Sequence, residues 1–255
     1  MTACRIVAGP LLALCVVCSA AAQDKERPPV RFDNWLYYQH NFDGTDRWQY
    51  RPRFYIPFNL SNGWTFTQRI DLPNYLTDKP GPENPDGEWK AGIADWFVEE
   101  TFLSPEVAKN LKWSTGVRLV FPTGGQQPFG SSQYQWAPTL GALYTMPEQR
   151  ITFNPVARYF MSYHADLPGA ARIRKLSLFP TLTFGGLLDG WSLSLWPENE
   201  ISYNDVTGKW FVPVDLLATR ALSKSAEIGF GGAWAVVKDD PAYKYVINAR
   251  LTFRF

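Results

Sequence analysis

Arg51 and Arg53 stand two residues apart, as do Glu198 and Glu200 and, nearby, Arg69 and Asp71. In an extended chain that spacing puts both members of a pair on one face, so each like-charged couple must share its surroundings. Such repulsion is tolerated where a solute, an ion or water separates the charges. Arg51 and Arg53 with Arg69, and Glu198 with Glu200, are therefore the leading candidates for contact with a solute. The same alternation points Asp71, Asp95, Glu99, Arg118, Arg158, Lys175, Asp215, Glu227, Arg250 and Arg254 to the same side as those five. A mixed-sign set of this size has two uses. It can cross-link into salt bridges that plug an interior, or line opposite walls of a narrow aqueous path and select by charge.

Other chemistry is sparse. The two histidines are His40 and His164. Ser162, His164 and Asp166 fall at one strand end, a height suited to lipid hydrolysis. Ser162 and His164 are ordinary i, i+2 neighbours, however, and no longer lipase or deacylase motif accompanies them. Asp78, Glu83, Asp86 and Glu88 are acidic enough to hold Ca²⁺, but their spacing matches no EF-type loop and a solvated acidic loop is the default. All three cysteines (Cys4, Cys15, Cys18) precede residue 23, so residues 23–255 offer neither a disulfide framework nor a thiolate metal site. No cofactor is called for. A net charge of +1 excludes the global basicity of a nucleic-acid binder.

The elements that must position these charges are strands. The last, residues 243–255, sets Tyr243, Tyr245, Ile247, Ala249, Leu251, Phe253 and Phe255 against Lys244, Val246, Asn248, Arg250, Thr252 and Arg254. That is a period of two with one apolar and one polar face. Similar alternation recurs over residues 34–42, 48–58, 64–73, 91–102, 113–121, 136–146, 151–163, 175–184, 191–203, 210–219 and 225–237. Hydropathy averages away along such strands, and no apolar run after the leader is long enough to span a bilayer as a helix, yet aromatic residues are 16% of the chain. A closed membrane barrel reconciles these facts. The predicted fold is all-β, a transmembrane antiparallel up-and-down β-barrel of about twelve strands.

Connection lengths agree. From a periplasmic amino end, the outward connections include the longest, 74–88 and 122–133. The periplasmic ones are short (60–63, 147–149, 187–190, 221–224), apart from 104–110, which opens Ser-Pro-Glu and predicts a helical turn capped by Ser104. Trp35, Trp48, Trp64, Trp113, Trp136, Trp191 and Trp210 fall near predicted strand ends, as an aromatic girdle requires. Prolines are the discordant feature. Pro52, Pro57, Pro138, Pro155, Pro180, Pro197 and Pro213 all lie within predicted strands, where each removes a ladder hydrogen bond.

Residues 1–22 combine Arg5, an apolar run from Ile6 to Cys18, and small residues at Ala20 and Ala22, which is a secretory signal cleaved before Gln23. Residues 23–255 then form one barrel domain in the outer membrane of a Gram-negative cell, reached by Sec-type export. Its expected partners are outer-membrane lipids and, through the terminal strand ending on Phe255, the barrel-assembly machinery.

Several segments resemble the MetA-pathway phenol-degradation family of outer-membrane transporters. Arg51-Pro52-Arg53-Phe54-Tyr55-Ile56-Pro57-Phe58 with Asn62-Gly63-Trp64 is similar to its QPxxPF…W hairpin, and Gly92-Ile93-Ala94-Asp95 with Phe102-Leu103-Ser104-Pro105 to its GxGD…FFSP stretch. Val120-Phe121-Pro122-Thr123, Phe129-Gly130 and Trp136-Ala137-Pro138 resemble LPTAT…LGxGKWxxGP, and Gly208-Lys209-Trp210-Phe211-Val212-Pro213 resembles KWTVP. Ala94 departs from the second glycine of GxGD, and Gln133-Tyr134-Gln135 replaces Gly-Lys before Trp136. The resemblance implies a non-enzymatic, porin-like channel or transporter for small hydrophobic or aromatic molecules. A rim lipid hydrolase using His164 is the alternative, and a soluble periplasmic ligand-binding β-protein a third. Mass spectrometry of the protein purified from outer membranes is expected to find Gln23 as the first residue; a chain retaining residues 1–22 would overturn the leader assignment.

Overall fold

The alternation in the terminal stretch is what the computed structural model builds its wall from. The structure describes residues 28–165 and 172–255; the expected leader, residues 1–22, and Asp166 lie outside them. In chain order the strands are β1 (Arg31–His40), β2 (Asp46–Asn59), β3 (Thr65–Asp71), β4 (Asn74–Thr77), β5 (Lys90–Ile93), β6 (Trp96–Leu103), β7 (Leu111–Phe121), β8 (Gln133–Met146), β9 (Ile151–Ala165), β10 (Arg174–Leu187), β11 (Trp191–Leu195), β12 (Ile201–Asn204), β13 (Lys209–Ala221), β14 (Ala226–Lys238) and β15 (Tyr245–Arg254).

Three pairs of these are halves of one stave. β3 and β4 both lie against β2, β6 and β5 continue that arrangement against β3 and β4, and β11 and β12 both lie between β10 and β13. The result is twelve antiparallel staves. β1 pairs with both β2 and β15, so the sheet closes on itself, and the short β5, paired with β4 alone, is the one strand with a free side among the described residues. At the seam Val30 N–H donates to Phe255 O, and Phe255 N–H to Val30 O.

Side chains sort by parity as expected. On β15, Ile247 and Leu251 are exposed on the outer wall while Val246, Asn248 and Thr252 are buried within. Trp136, Leu140, Val214, Phe230 and Trp234 extend the exposed apolar band around the wall.

Two aromatic assignments are corrected. Trp35 is fully buried inside the barrel, stacked on Tyr37, and takes no part in an outer girdle. Its phase is that of Asp33 and Tyr37, with Leu36 facing out. Tyr243 is likewise internal, packing edge-on against Phe211. The ladder of β15 begins only at Tyr245, so the connection before it is free to turn Tyr243 inward. The 104–110 connection forms no helical turn either. An isolated bridge joins Ala108 and Leu111, Asn110 takes a positive φ, and the Ser104 hydroxyl accepts the Trp113 N–H, so it is not a helix cap. Residues 74–77, expected as loop, are β4.

Four of the strand prolines have a physical account. Pro155 faces Pro180 across the β9–β10 ladder, so each missing N–H points to the other neighbour. There the β8–β9 register skips from Gly141–Val156 to Tyr144–Phe153, and β10 faces the break between β11 and β12. Pro213 lies opposite that same break from the β13 side, and Pro52 opposite the break between β3 and β4. Each proline sits where one side of the ladder is already open, so little is lost. Leu251→Arg, which sets a cation on the outer wall opposite Asn34, is expected to lower barrel stability by about 1–3 kcal/mol in urea titrations in lipid vesicles; an unchanged midpoint would contradict the lipid-facing assignment.

Candidate functional site

The open break between β11 and β12 is where the chain leaves the wall. Residues 196–200 fold inward as a strap, held at its root by one carboxylate. Asp215 Oδ2 accepts the Glu198 N–H (3.0 Å) and the Asn199 N–H (2.7 Å), and Oδ1 accepts Asn199 Nδ2 (3.0 Å). Trp196 Nε1 donates to Pro213 O at 2.7 Å, and Thr181 Oγ1 donates to Trp196 O at 2.8 Å. Asp215, buried and facing no cation in these contacts, serves as the strap's anchor.

Glu198 spans to the far wall. Arg53, from the middle of β2, grips it as a fork, Nη1 to Oε1 at 2.6 Å and Nη2 to Oε2 at 2.9 Å, while its Nε donates to Asp71 at 2.9 Å. Tyr37 adds its hydroxyl to Glu198 Oε2 at 3.3 Å. Asp71 also takes two bonds from Arg69 at 2.7 and 2.9 Å. Arg69 continues to Glu99 at 3.6 Å, and Glu99 accepts from Arg118 (2.5 Å) and Arg158 (2.6 Å). The guanidiniums lie over aromatic rings, Arg118 over Phe97 at 4.1 Å and Arg158 over Phe179 at 4.9 Å. Bidentate pairing and stacking favour arginine over lysine here. The result is a belt of alternating charge across the lumen at mid-depth.

Arg51 stands apart, 3.9 Å from both Asp71 and Glu198. Glu200 pairs with Lys175, so the two like-charged glutamates are split between separate cations. Glu227, toward the end bearing the termini, is shared by Arg250 and Arg254. Asp95 is placed elsewhere, in the break between β5 and β6. It accepts the Gly124 N–H at 3.2 Å and both N–H and hydroxyl of Ser131 at 2.7 Å, tying the 122–132 loop to the wall. A side chain at Gly130 would put Cβ 2.5 Å from Asp95 Oδ1, so this closure requires glycine.

On the loop side of the belt lies a cavity of about 570 Å³. Arg47, Tyr75, Phe211 and Tyr243 line it beside Arg51, Arg69, Arg118 and Arg158. Arg47 was not foreseen because the expected second strand, 48–58, begins two residues after β2 does, although Arg47 is in phase with Arg51. The strap escaped it too, though the convergence of Pro180, Pro197 and Pro213 marks its position. At the rim, the Ser162 hydroxyl accepts the Ile173 N–H at 3.0 Å and His164 packs on Tyr134. The Asp78 carboxylate accepts the Asp46 N–H at 2.7 Å.

Asp71→Asn, which leaves Arg53 and Arg69 undercompensated, is expected to cost about 3–5 kcal/mol in urea unfolding. A double-mutant cycle with Glu198→Gln is expected to be non-additive, since both changes act on Arg53; strict additivity would mean that the belt is not one network.

No protein-family model matches the sequence, and neither does any curated protein. Solved structures do. The COG4313 outer membrane channel from Pseudomonas putida F1 superposes with a TM-score of 0.69 at 12% identity, covering 92% of this chain and 98% of that one. The NanC porin gives 0.53 at 13% identity (88% and 98% covered). The KdgM porin, solved in complex with disordered oligogalacturonate, gives 0.52 at 9% (88% and 99%). At such identities the likeness is one of fold, and the fold is that of the outer-membrane β-barrel channels and porins.

Proposed function

We propose that this chain is an outer-membrane channel for the passive passage of small molecules. The observation that carries the reading is the combination of a closed wall, apolar outside, with a polar cavity of about 570 Å³ inside it, narrowed by the belt of ion pairs. An apolar band of this extent on the outer wall calls for lipid. A charge-lined interior calls for water, and burying so many side chains at full solvation cost without a solute path would serve no packing purpose that Leu or Phe would not serve better.

The likeness in fold to a channel and two porins supports the reading. The segments similar to the MetA-pathway family support its finer form, passage of small hydrophobic or aromatic molecules. In this reading the paired termini face the periplasm and the longer loops face outward, as in bacterial barrels generally. Glu198, Arg53 and the strap set the narrowest point. A solute passes by exchanging contacts with the fixed guanidiniums that lie across its route. The rim Ser162 and His164 belong to the wall, with the Ser162 hydroxyl engaged by a backbone N–H.

In planar bilayers the purified barrel is expected to give discrete, small current steps in potassium chloride. Asp215→Asn, which weakens the strap's anchor, is expected to raise the step size roughly twofold or more. An absence of current from both proteins, with folding verified by heat-modifiable mobility on gels, would overturn the channel reading.

A further inference from the structure

The arginines in the lumen fall into two kinds. Those of the belt are held by carboxylates at short range. Arg47 and Arg51, toward the loop end of the same strand face, have neutral amides as their close partners, with Arg51 still 3.9 Å from Asp71 and Glu198. Arg47 Nη2 donates to Gln39 Oε1 at 2.5 Å, and Gln39 is itself fixed by donating to Asn41 at 2.7 Å. The Gln49 amide, turned so that its oxygen faces Arg51, accepts from Arg51 Nε and Nη2 at 2.6 and 2.7 Å. An amide orients a guanidinium without neutralising it. Each plane is further set by an aromatic ring, Tyr75 at 4.2 Å from Arg47 and Tyr37 at 4.8 Å from Arg51. These are positioned cations with charge to spare.

Two further observations point at a ligand. Among the described residues, Arg47 Nε and the Tyr243 hydroxyl are buried without a hydrogen-bond partner. Such groups are costly unless something meets them. Both residues line the 570 Å³ cavity, and Arg47 also lines a smaller one of about 100 Å³ beneath Gln127, Pro128 and Ala242. Arg47 thus stands where the loop-side opening meets the main cavity. A cavity of this volume suits a small organic molecule. Of the acidic lining residues, Glu198 and Glu200 are paired with Arg53 and Lys175, while Asp240 accepts the neutral amide of Asn204 and keeps its charge. Among the described residues, Arg47 and Arg51 are the lining cations that no carboxylate holds at hydrogen-bonding distance, Arg51 lying 3.9 Å from Asp71 and Glu198.

We propose that Arg47, Arg51 and the Tyr243 hydroxyl form a binding station for the carboxylate of a small organic acid, on the loop side of the constriction. The inference rests on the channel reading for its purpose, but not for its test. The carboxylate takes charge-assisted N–H donors from the guanidinium edges and the phenol O–H from Tyr243. The organic body lies among the rings of Tyr75, Tyr37 and Phe211.

The test is calorimetric titration of the folded mature barrel in detergent micelles with sodium benzoate, with benzamide and empty micelles as controls. Saturable one-to-one binding of benzoate is expected, with none for the isosteric but neutral benzamide. The double variant Arg47→Gln, Arg51→Gln is expected to weaken it by about tenfold or more, and Tyr243→Phe by about threefold, as loss of charged and neutral donors dictates. Arg47→Lys with Arg51→Lys keeps the charge and is expected to fall between wild type and the glutamine variant; it serves as the readout if the glutamine variant fails to fold. Benzoate binding that is absent, unchanged in the variants, or matched by benzamide would overturn the station. Chloride current without benzoate binding would sink the station alone, and binding without current would sink the channel reading alone.

Discussion

The lumen is organised by one ion pair that reaches from wall to wall, Arg53 on β2 with Glu198 on the inward strap. Charges buried at mid-depth are tolerable only when paired and hydrogen-bonded, and the fork geometry supplies both partners with two bonds each. Everything around the pair serves to hold its ends. Asp71 fixes Arg53 from the side, Asp215 fixes the strap that carries Glu198, and Tyr37 caps the remaining carboxylate lone pair. Glu99 then extends the network to Arg69, Arg118 and Arg158. Four arginines (53, 69, 118 and 158) share three carboxylates (71, 99 and 198) in this belt, so it retains positive character that a lumen of neutral residues would lack.

That arrangement depends in turn on interrupting a stave without opening the wall. A barrel in lipid cannot leave backbone groups unpaired toward the hydrocarbon. The break between β11 and β12 meets this constraint because the two neighbouring staves present prolines there, Pro180 and Pro213, which have no N–H to satisfy. Within the strap, the Trp196 N–H is taken by the Asp215 carbonyl, the Trp196 carbonyl by Thr181, and the Glu198 and Asn199 N–H groups by the Asp215 carboxylate. The feature that looked least compatible with strands is thus what allows a segment of the wall to become part of the lumen.

Two constrictions of different character result. The belt is rigid, with nearly every charge countered at short range. Above it, the loop-side cavity holds guanidiniums oriented by amides and rings, and there charge remains available. Burial of Trp35 and Tyr243 packs the interior side of the seam, where β1 and β15 meet, so that the aromatic content of the chain is divided between lipid contact and lumen packing.

The sequence by itself determined the wall. A period of two carries its own meaning, since a residue's parity decides which solvent it meets, and parity was enough to place the exposed face of β15, the twelve staves and the inward direction of Arg53, Asp71, Glu99 and Arg118. What parity does not encode is who meets whom across the lumen. Glu198 and Arg53 are 145 residues apart, and their pairing follows from barrel closure and from an inward strap that no local pattern describes. The same holds for Asp95, whose in-phase position gave way to a loop contact, for Trp35, whose place near a strand end concealed an inward phase, and for Tyr243, which lies beyond the ladder where parity no longer applies. Only the tertiary structure decided these, because side-chain partners inside a barrel are set by its diameter, its breaks and the loops that fold into it.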